Sequence, residues 1–142
     1  MARLLTSKTK ARLTTAIGAA EHGHGGEIRV HIETRYSGDG PRLRARELFK
    51  ALGMEATAEG TGVLLYLALD DRKIAVHAGP GVPVPPLNTW QDLADLVADG
   101  FRQGDGIGGL ERALHRLGEV LRELLPGEEV SSNELPNEVT TS

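Results

Sequence analysis

Apolar and polar residues recur along the chain with two different periods, and these periods predict alternating helices and strands. Residues 7–21 carry apolar side chains three or four positions apart, as on one face of a helix. Residues 27–36 instead alternate strictly, which indicates a strand with one solvated or lightly covered face. The nearly unbroken apolar run at 62–69 is typical of a central strand covered on both sides.

The remaining elements follow from breaks and caps in the pattern. A second helix begins at Pro41, and a short break at Asp70-Asp71 predicts a hairpin leading into a further strand. A stiff loop rich in glycine and proline spans 79–87. Asn88 and Gln91 form a predicted capping box for the next helix, and apolar spacing predicts a last helix over 107–124.

The predicted order is therefore α-β-α-β-β-α-α. A helix joins the first two strands, so their connection should be right-handed and the strands parallel. The fold class is α/β, as a three-layer α/β/α sandwich with a small mixed sheet.

Charge divides the chain into two parts. Residues 1–127 hold 16 basic and 16 acidic residues, whereas residues 128–142 hold four glutamates and no basic residue, which accounts for the net charge of −4. We therefore expect one domain over 1–127, followed by an acidic, extended tail over 128–142. A neutral body gives no support for a nucleic-acid partner.

Composition excludes several other classes. The chain has no cysteine, so disulfide frameworks, thiolate metal sites and cysteine nucleophiles are excluded. The N-terminal apolar run is too short for a signal peptide, and no stretch is long enough for a transmembrane helix. We expect a cytoplasmic protein without a membrane span.

Two short motifs give weak signals. Gly104-Asp-Gly106-Ile-Gly-Gly109 matches a dinucleotide-binding pattern, but it follows a helix rather than a strand and is better interpreted as an interhelical turn. His22 and His24 are two positions apart without a clear third metal ligand, which favours surface histidines in a flexible loop.

The aspartates give the strongest chemical hypothesis. Asp70 and Asp71 follow the central strand, Asp39 follows the first strand, and Asp105 follows a helix that should return to the same sheet edge. Ligands in open α/β sheets favour that edge, and converging carboxylates repel one another unless a cation binds. Their oxygen ligands predict Ca²⁺ or Mg²⁺. In the alternative interpretation, these aspartates only cap helices and make turns.

Several segments together resemble the TPM domain family, also called TPM phosphatase-like, in its short stand-alone bacterial type. The similarity runs from about residue 10 to 138. It is carried by Glu27-Ile-Arg-Val-His-Ile-Glu33, Leu48-Phe49, Gly62-Val-Leu-Leu-Tyr-Leu-Ala68, Asp70-Asp-Arg-Lys73, Gly104-Asp105 and Asn133-Glu-Leu-Pro-Asn-Glu138.

The resemblance implies an α/β/α sandwich, divalent-cation binding in some members, and acid phosphatase activity, which is attributed to a plant relative from the thylakoid lumen. It carries over Asp70, Asp71 and Asp105 as metal ligands and Arg72 as an anion-binding candidate. The sequence departs from the pattern at Gly79-Pro-Gly-Val82, where an acidic residue is missing.

Two functions remain open from sequence. The first is binding of a divalent cation at Asp39, Asp70, Asp71 and Asp105, with weak metal-dependent phosphatase activity. The alternative is a non-catalytic module that binds a protein partner, which the 79–87 loop and the acidic tail favour.

Overall fold

The helices and strands follow the predicted order, with one addition at the C-terminus. The computed structural model describes residues 4–56, 59–127 and 139–142. Its elements are α1 (Ser7–Glu21), β1 (Glu27–Glu33), α2 (Pro41–Ala51), β2 (Gly62–Ala68), β3 (Lys73–Ala78), α3 (Thr89–Arg102), α4 (Gly106–Leu124) and β4 (Val139–Thr141).

A short 3₁₀ turn, Met54–Ala56, follows α2. Strand β4 was not predicted. Most of the predicted acidic tail, 128–138, lies outside the described residues, as does the family-like segment at 133–138. None of the helices in the described part of the chain is long and apolar enough to cross a membrane.

The four strands form one mixed sheet in the order β3-β2-β1-β4. Strands β1 and β2 are parallel, in a register that runs from Glu27 opposite Gly62 to Glu33 opposite Ala68. This confirms the predicted parallel crossover through α2. Strand β3 runs antiparallel to β2, and β4 runs parallel to β1 on its other side.

The sheet separates two hydrophobic cores of different size, as expected for three layers. The larger core packs α1, α3 and α4 against side chains such as Ile28, Val30 and Leu65. The smaller core packs α2 against the opposite face, where Phe49 meets Leu64 and Tyr66. Burial on both faces explains the continuous apolar run in β2.

The charged face of β1 is buried, although the alternation predicted a solvated or lightly covered face. Glu27, Arg29, His31 and Glu33 are each less than a tenth exposed. They lie on the side of the sheet that α2 covers, and β4 flanks β1 at its edge. A local alternation of polar and apolar residues cannot show that distant segments will cover the polar side.

The carboxylate of Glu33 is the centre of a buried hydrogen-bond network. It accepts two bonds from Arg44 of α2, at 3.1 and 2.7 Å from Nε and Nη2. The hydroxyl of Tyr66 on β2 donates to Oε2 at 2.5 Å, and the hydroxyl of Ser142 donates to Oε1 at 2.9 Å. One side chain therefore joins β1 to the helix above it and to segments on both sides.

His31 extends this network to β4. Because Ser142 gives its hydroxyl proton to Glu33, we infer that it accepts from His31 Nε2, which lies 2.8 Å away. The other ring nitrogen, Nδ1, then accepts from the Thr140 hydroxyl at 2.7 Å. Burial lowers the pKa of His31, which is consistent with this neutral ring.

One predicted helix cap is wrong. Asn88 precedes α3, but its backbone is left-handed, with φ of 70°, and its side chain makes no capping bond. Gln91 bonds to Asp95 one turn further on instead. The capping box of this fold lies at α1, between Thr6 and Thr9.

Replacing Glu33 with Gln should destabilise the fold most at neutral pH. Hydrogen bonds from Arg44 hold the pKa of Glu33 down at about 2. Because this pKa is lower in the folded than in the unfolded state, the ionised carboxylate stabilises the fold at any pH above the unfolded-state pKa. This contribution is lost as the pH falls from about 5 to about 2. We expect a loss of about 3–5 kcal/mol for Glu33→Gln at pH 7, since a buried ion pair loses one partner. The difference from wild type should shrink towards pH 2.

Urea unfolding between pH 2 and 7 measures this. Glu47→Gln is the matched control, because Glu47 also approaches Arg44, at 3.9 Å, but is about half exposed. This variant should stay within about 0.5 kcal/mol of wild type. If Glu33→Gln and wild type differ by the same amount at every pH, the Glu33 charge is not the source of the stability.

Candidate functional site at the carboxyl edge of the sheet

The ends of β1 and β2 are connected by hydrogen bonds at one edge of the sheet. Backbone N–H groups of Leu69 and Asp70 donate to the carbonyls of Glu33 and Thr34, at 2.9 and 2.8 Å. The N–H of Tyr36 in turn donates to Oδ2 of Asp71 at 2.9 Å. The parallel register thus brings the β2–β3 turn against the segment that follows β1, as the sequence predicted.

Two of the predicted ligands, Asp70 and Asp71, are held directly at this edge. Asp70 lies 3.6 Å from Arg35 in an ion pair that is mostly exposed, and such pairs contribute little stability. Asp71 is tied through one oxygen to the Tyr36 backbone. Asp39 is exposed in the loop between β1 and α2, shortly after Tyr36.

Asp105 serves a different local purpose. It precedes α4, and its Oδ1 accepts a hydrogen bond from the N–H of Gly108 at 3.0 Å, as a helix cap does. Its other oxygen lies 4.0 Å from Arg112 on the exposed face of α4. These contacts match the alternative that the sequence left open for this residue.

The carboxylates do not assemble into a ready metal cage. Over residues 4–56, 59–127 and 139–142, no three or more His, Asp or Glu side chains are grouped so that they could hold a metal ion. Asp39, Asp70, Asp71 and Asp105 all lie within these ranges. The structure therefore brings Asp70 and Asp71 together with the loop that carries Asp39, and leaves Asp105 at the start of α4.

Arg72 lies on the other side of the same turn. Its N–H donates to the carbonyl of Leu69 at 3.2 Å, and its φ is 51°, a left-handed conformation that is rare outside glycine. Arg72 lines a cavity between the hairpin and α3, together with Lys73 and Arg102. The sequence singled out Arg72 but did not indicate its two cationic neighbours.

The two weak motifs have structural explanations. Gly104 ends α3 with φ of 75°, and Gly109 packs against Gly100 so closely that a Cβ on Gly100 would lie 2.6 Å from the Cα of Gly109. The glycine pattern therefore makes a turn and a close helix crossing. His24 is fully buried, contrary to expectation, with Nδ1 accepting from Gly26 N–H at 2.9 Å.

Sequence reasoning also missed an exposed apolar segment. Val84 and Leu87 are each 92% exposed, on the loop that precedes α3. Pro85 and Pro86 lie between them and restrict the backbone. The composition of 79–87 predicted a stiff loop, but it did not predict that the side chains of Val84 and Leu87 would be exposed.

The chain belongs to the TPM domain family, because the family's sequence model matches residues 1–120. This confirms the resemblance found in the sequence. A search of curated proteins gives no match.

Solved structures agree with this assignment. The NMR structure of the BA42 protein from the psychrophilic bacterium Bizionia argentinensis is similar, with 29% identity and a TM-score of 0.82, over 97% of this chain and 95% of that one. The N-terminal domain of a protein from P. gingivalis shares 22% identity, with a TM-score of 0.64, over 86% of this chain and 79% of that one.

The N-terminal domain of the cg2496 protein from Corynebacterium glutamicum shares 14% identity, also with a TM-score of 0.64, over 92% of this chain and 83% of that one. These two more distant likenesses establish the fold alone. The three-layer α/β architecture is thus common to this chain and to domains with widely different sequences.

Proposed function

We propose that this TPM domain binds a divalent cation, Ca²⁺ or Mg²⁺, at the carboxyl edge of β1 and β2. Asp70 and Asp71 would hold the ion, and Asp39 would add negative charge from the neighbouring loop. The supporting observation is the hydrogen-bonded junction that places the β2–β3 turn against the segment after β1.

The chemistry of the edge is suited to such an ion. Both metals prefer carboxylate oxygens, and Mg²⁺ usually keeps several waters and uses only one or two carboxylates. Two adjacent aspartates therefore suffice for a hydrated ion without a group of three protein ligands. Asp71 keeps one oxygen outside its bond to Tyr36, and the Asp70 side chain is about half exposed.

Titration with CaCl₂ and with MgCl₂ should shift backbone amides around residues 34–39 and 69–73. We expect Asp70→Asn and Asp71→Asn each to weaken the affinity by about tenfold or more, as loss of a metal-site residue does. The measurement is a series of amide NMR spectra at increasing metal concentration. In Asp71→Asn, the side-chain amide oxygen can still accept the hydrogen bond from the Tyr36 N–H, so this variant should stay folded.

Asp92→Asn is the matched control, because Asp92 is an exposed aspartate in the first turn of α3. Strand β3 runs antiparallel to β2, so α3 begins after the chain has returned to the opposite edge of the sheet. It should bind the cation as wild type does. Equal losses in all three variants, or amide shifts that avoid residues 34–39 and 69–73, would contradict the proposed site.

A further proposal, which the family resemblance supports, is slow hydrolysis of phosphate monoesters at this edge. A bound divalent cation supplies Lewis-acid polarisation of a phosphoryl oxygen. An aspartate of the turn, Asp70 or Asp71, would attack the phosphorus and displace the alcohol, and water would then hydrolyse the aspartyl phosphate to release inorganic phosphate and restore the carboxylate.

We expect hydrolysis of an aryl phosphate that stops when EDTA removes the metal. The rate should fall at least about a hundredfold in Asp70→Asn or Asp71→Asn, the lower end of the range for loss of one catalytic group. Release of the phenol measures the rate, and Asp92→Asn should match wild type. Equal rates in all four proteins would show that the edge does not catalyse the reaction.

The exposed loop supports a second candidate function, as a protein-interaction module. A rigid apolar segment in water is a typical contact site for a partner, and Val84 and Leu87 each leave 92% of their surface exposed. The partner would be a protein with an apolar recess that accepts both side chains.

Val84→Ser with Leu87→Ser should abolish recovery of such a partner by the immobilised domain, without changing the thermal midpoint. Leu43→Ser is the control, because Leu43 is a less exposed leucine, at 42%, on α2. A partner that is recovered equally by the double variant does not bind through this loop.

A further inference from the structure

The cavity between the β2–β3 turn and α3 is lined by both apolar and cationic residues. Its volume is about 250 Å³. Leu67, Val97 and Phe101 contribute to the apolar lining, and Arg72, Lys73 and Arg102 are its charged residues. No acidic residue of the described part of the chain lines it. Such a cavity favours a ligand that carries both a negative charge and an apolar body.

The three cations are not equally available. Arg102 pairs with Asp99 one turn earlier and lies in the last turn of α3, where it also offsets the partial negative charge of the helix end. Within the described ranges, the side chains of Arg72 and Lys73 make no hydrogen bond or ion pair with another residue. The turn carboxylates Asp70 and Asp71 are directed to Arg35 and Tyr36 instead.

The backbone of Arg72 gives an independent indication. A non-glycine residue in the left-handed region costs of the order of 1 kcal/mol, and the last residue of such a turn is usually glycine. An arginine at this position is therefore not explained by the turn. It does place a guanidinium beside the apolar cavity.

We propose that this cavity binds a small carboxylate with a compact apolar body, such as a single-ring or short-chain acid. Arg72 pairs with the carboxylate through its planar guanidinium, Lys73 adds a second positive charge, and the apolar group packs against Val97 and Phe101. The volume lies just below the range of about 300–1,000 Å³ for drug-sized ligands, which limits the ligand to this size.

A carboxylate suits this cavity better than a phosphate dianion does. Six of its nine lining residues are apolar, so a ligand that enters it loses much of its hydration. The loss of hydration costs more for a doubly charged group than for a single carboxylate. The site does not depend on the proposed cation, and it can be examined without metal.

The test is an amide NMR titration in EDTA with four probes: 3-phenylpropionate, the neutral 3-phenylpropanol, acetate and phenyl phosphate. We expect 3-phenylpropionate to shift amides of residues 72–74 and 94–102. The alcohol and acetate should bind at least about tenfold more weakly, because each lacks one half of the interaction and a charged hydrogen bond alone contributes ten- to hundredfold.

Arg72→Gly removes the guanidinium charge without disturbing the left-handed backbone at this position. Glycine adopts the left-handed conformation without cost, so this variant should fold with an unchanged or raised thermal midpoint. It should bind 3-phenylpropionate at least about tenfold more weakly. Asn88→Gly is the control, because Asn88 has a similar φ of 70° but does not line the cavity, and it should bind as wild type does.

Equal affinity for the acid and the alcohol, or unchanged binding by Arg72→Gly, would overturn the proposal. So would shifts that avoid residues 72–74 and 94–102. Tighter binding of phenyl phosphate than of 3-phenylpropionate would overturn the assignment of a carboxylate. All four titrations are run in EDTA, so a negative result would not bear on the proposed cation site. That site is tested separately by the titrations with CaCl₂ and MgCl₂.

Discussion

The buried carboxylate of Glu33 is the interaction on which the arrangement of this domain depends. A charge placed among apolar layers is costly unless partners surround it, and here α2, β2 and Ser142 each supply one. Each partner must therefore lie in one position to complete the set. In this way a single side chain at the end of β1 determines how the helix, the central strand and the C-terminal segment meet.

The same residue determines where the candidate site forms. The carbonyl of Glu33 accepts from Leu69, and the chain then continues through Thr34 and Tyr36, whose backbone contacts position the β2–β3 turn. The turn places Asp70 and Asp71 on one side and Arg72 on the other. A buried ion pair and the exposed edge that carries the candidate site are thus adjacent parts of one short segment.

Local patterns predicted most of the fold because the helices and the first three strands carry their own periodicity. They could not predict β4, since Val139–Thr141 contributes only one buried apolar side chain. The burial of Glu27, Arg29, His31 and Glu33 was also beyond local reasoning, because the cover comes from distant segments. A charged residue looks the same in sequence whether water or a guanidinium surrounds it.

At the candidate site, topology was sufficient to predict which loops lie together, whereas the contacts of the side chains could not be predicted. Parallel strands fix the neighbourhood of Asp70, Asp71 and the loop of Asp39, and the crossover rule was sufficient for that. Spacing left open whether Asp105 binds a metal or caps α4, and it could not show that Lys73 and Arg102 join Arg72 around a cavity. These depend on how α3 packs against the hairpin.

The position of β4 in the chain has a consequence for folding kinetics. His31 and Thr140 are hydrogen-bonded although they are 109 residues apart, so this pairing closes a very long loop. During synthesis, β1 emerges early while Thr140 and Ser142 are still missing. Arg44 and Tyr66 are available to Glu33 before β4 is made, so the contacts of Thr140 with His31 and of Ser142 with Glu33 complete the network in a late step.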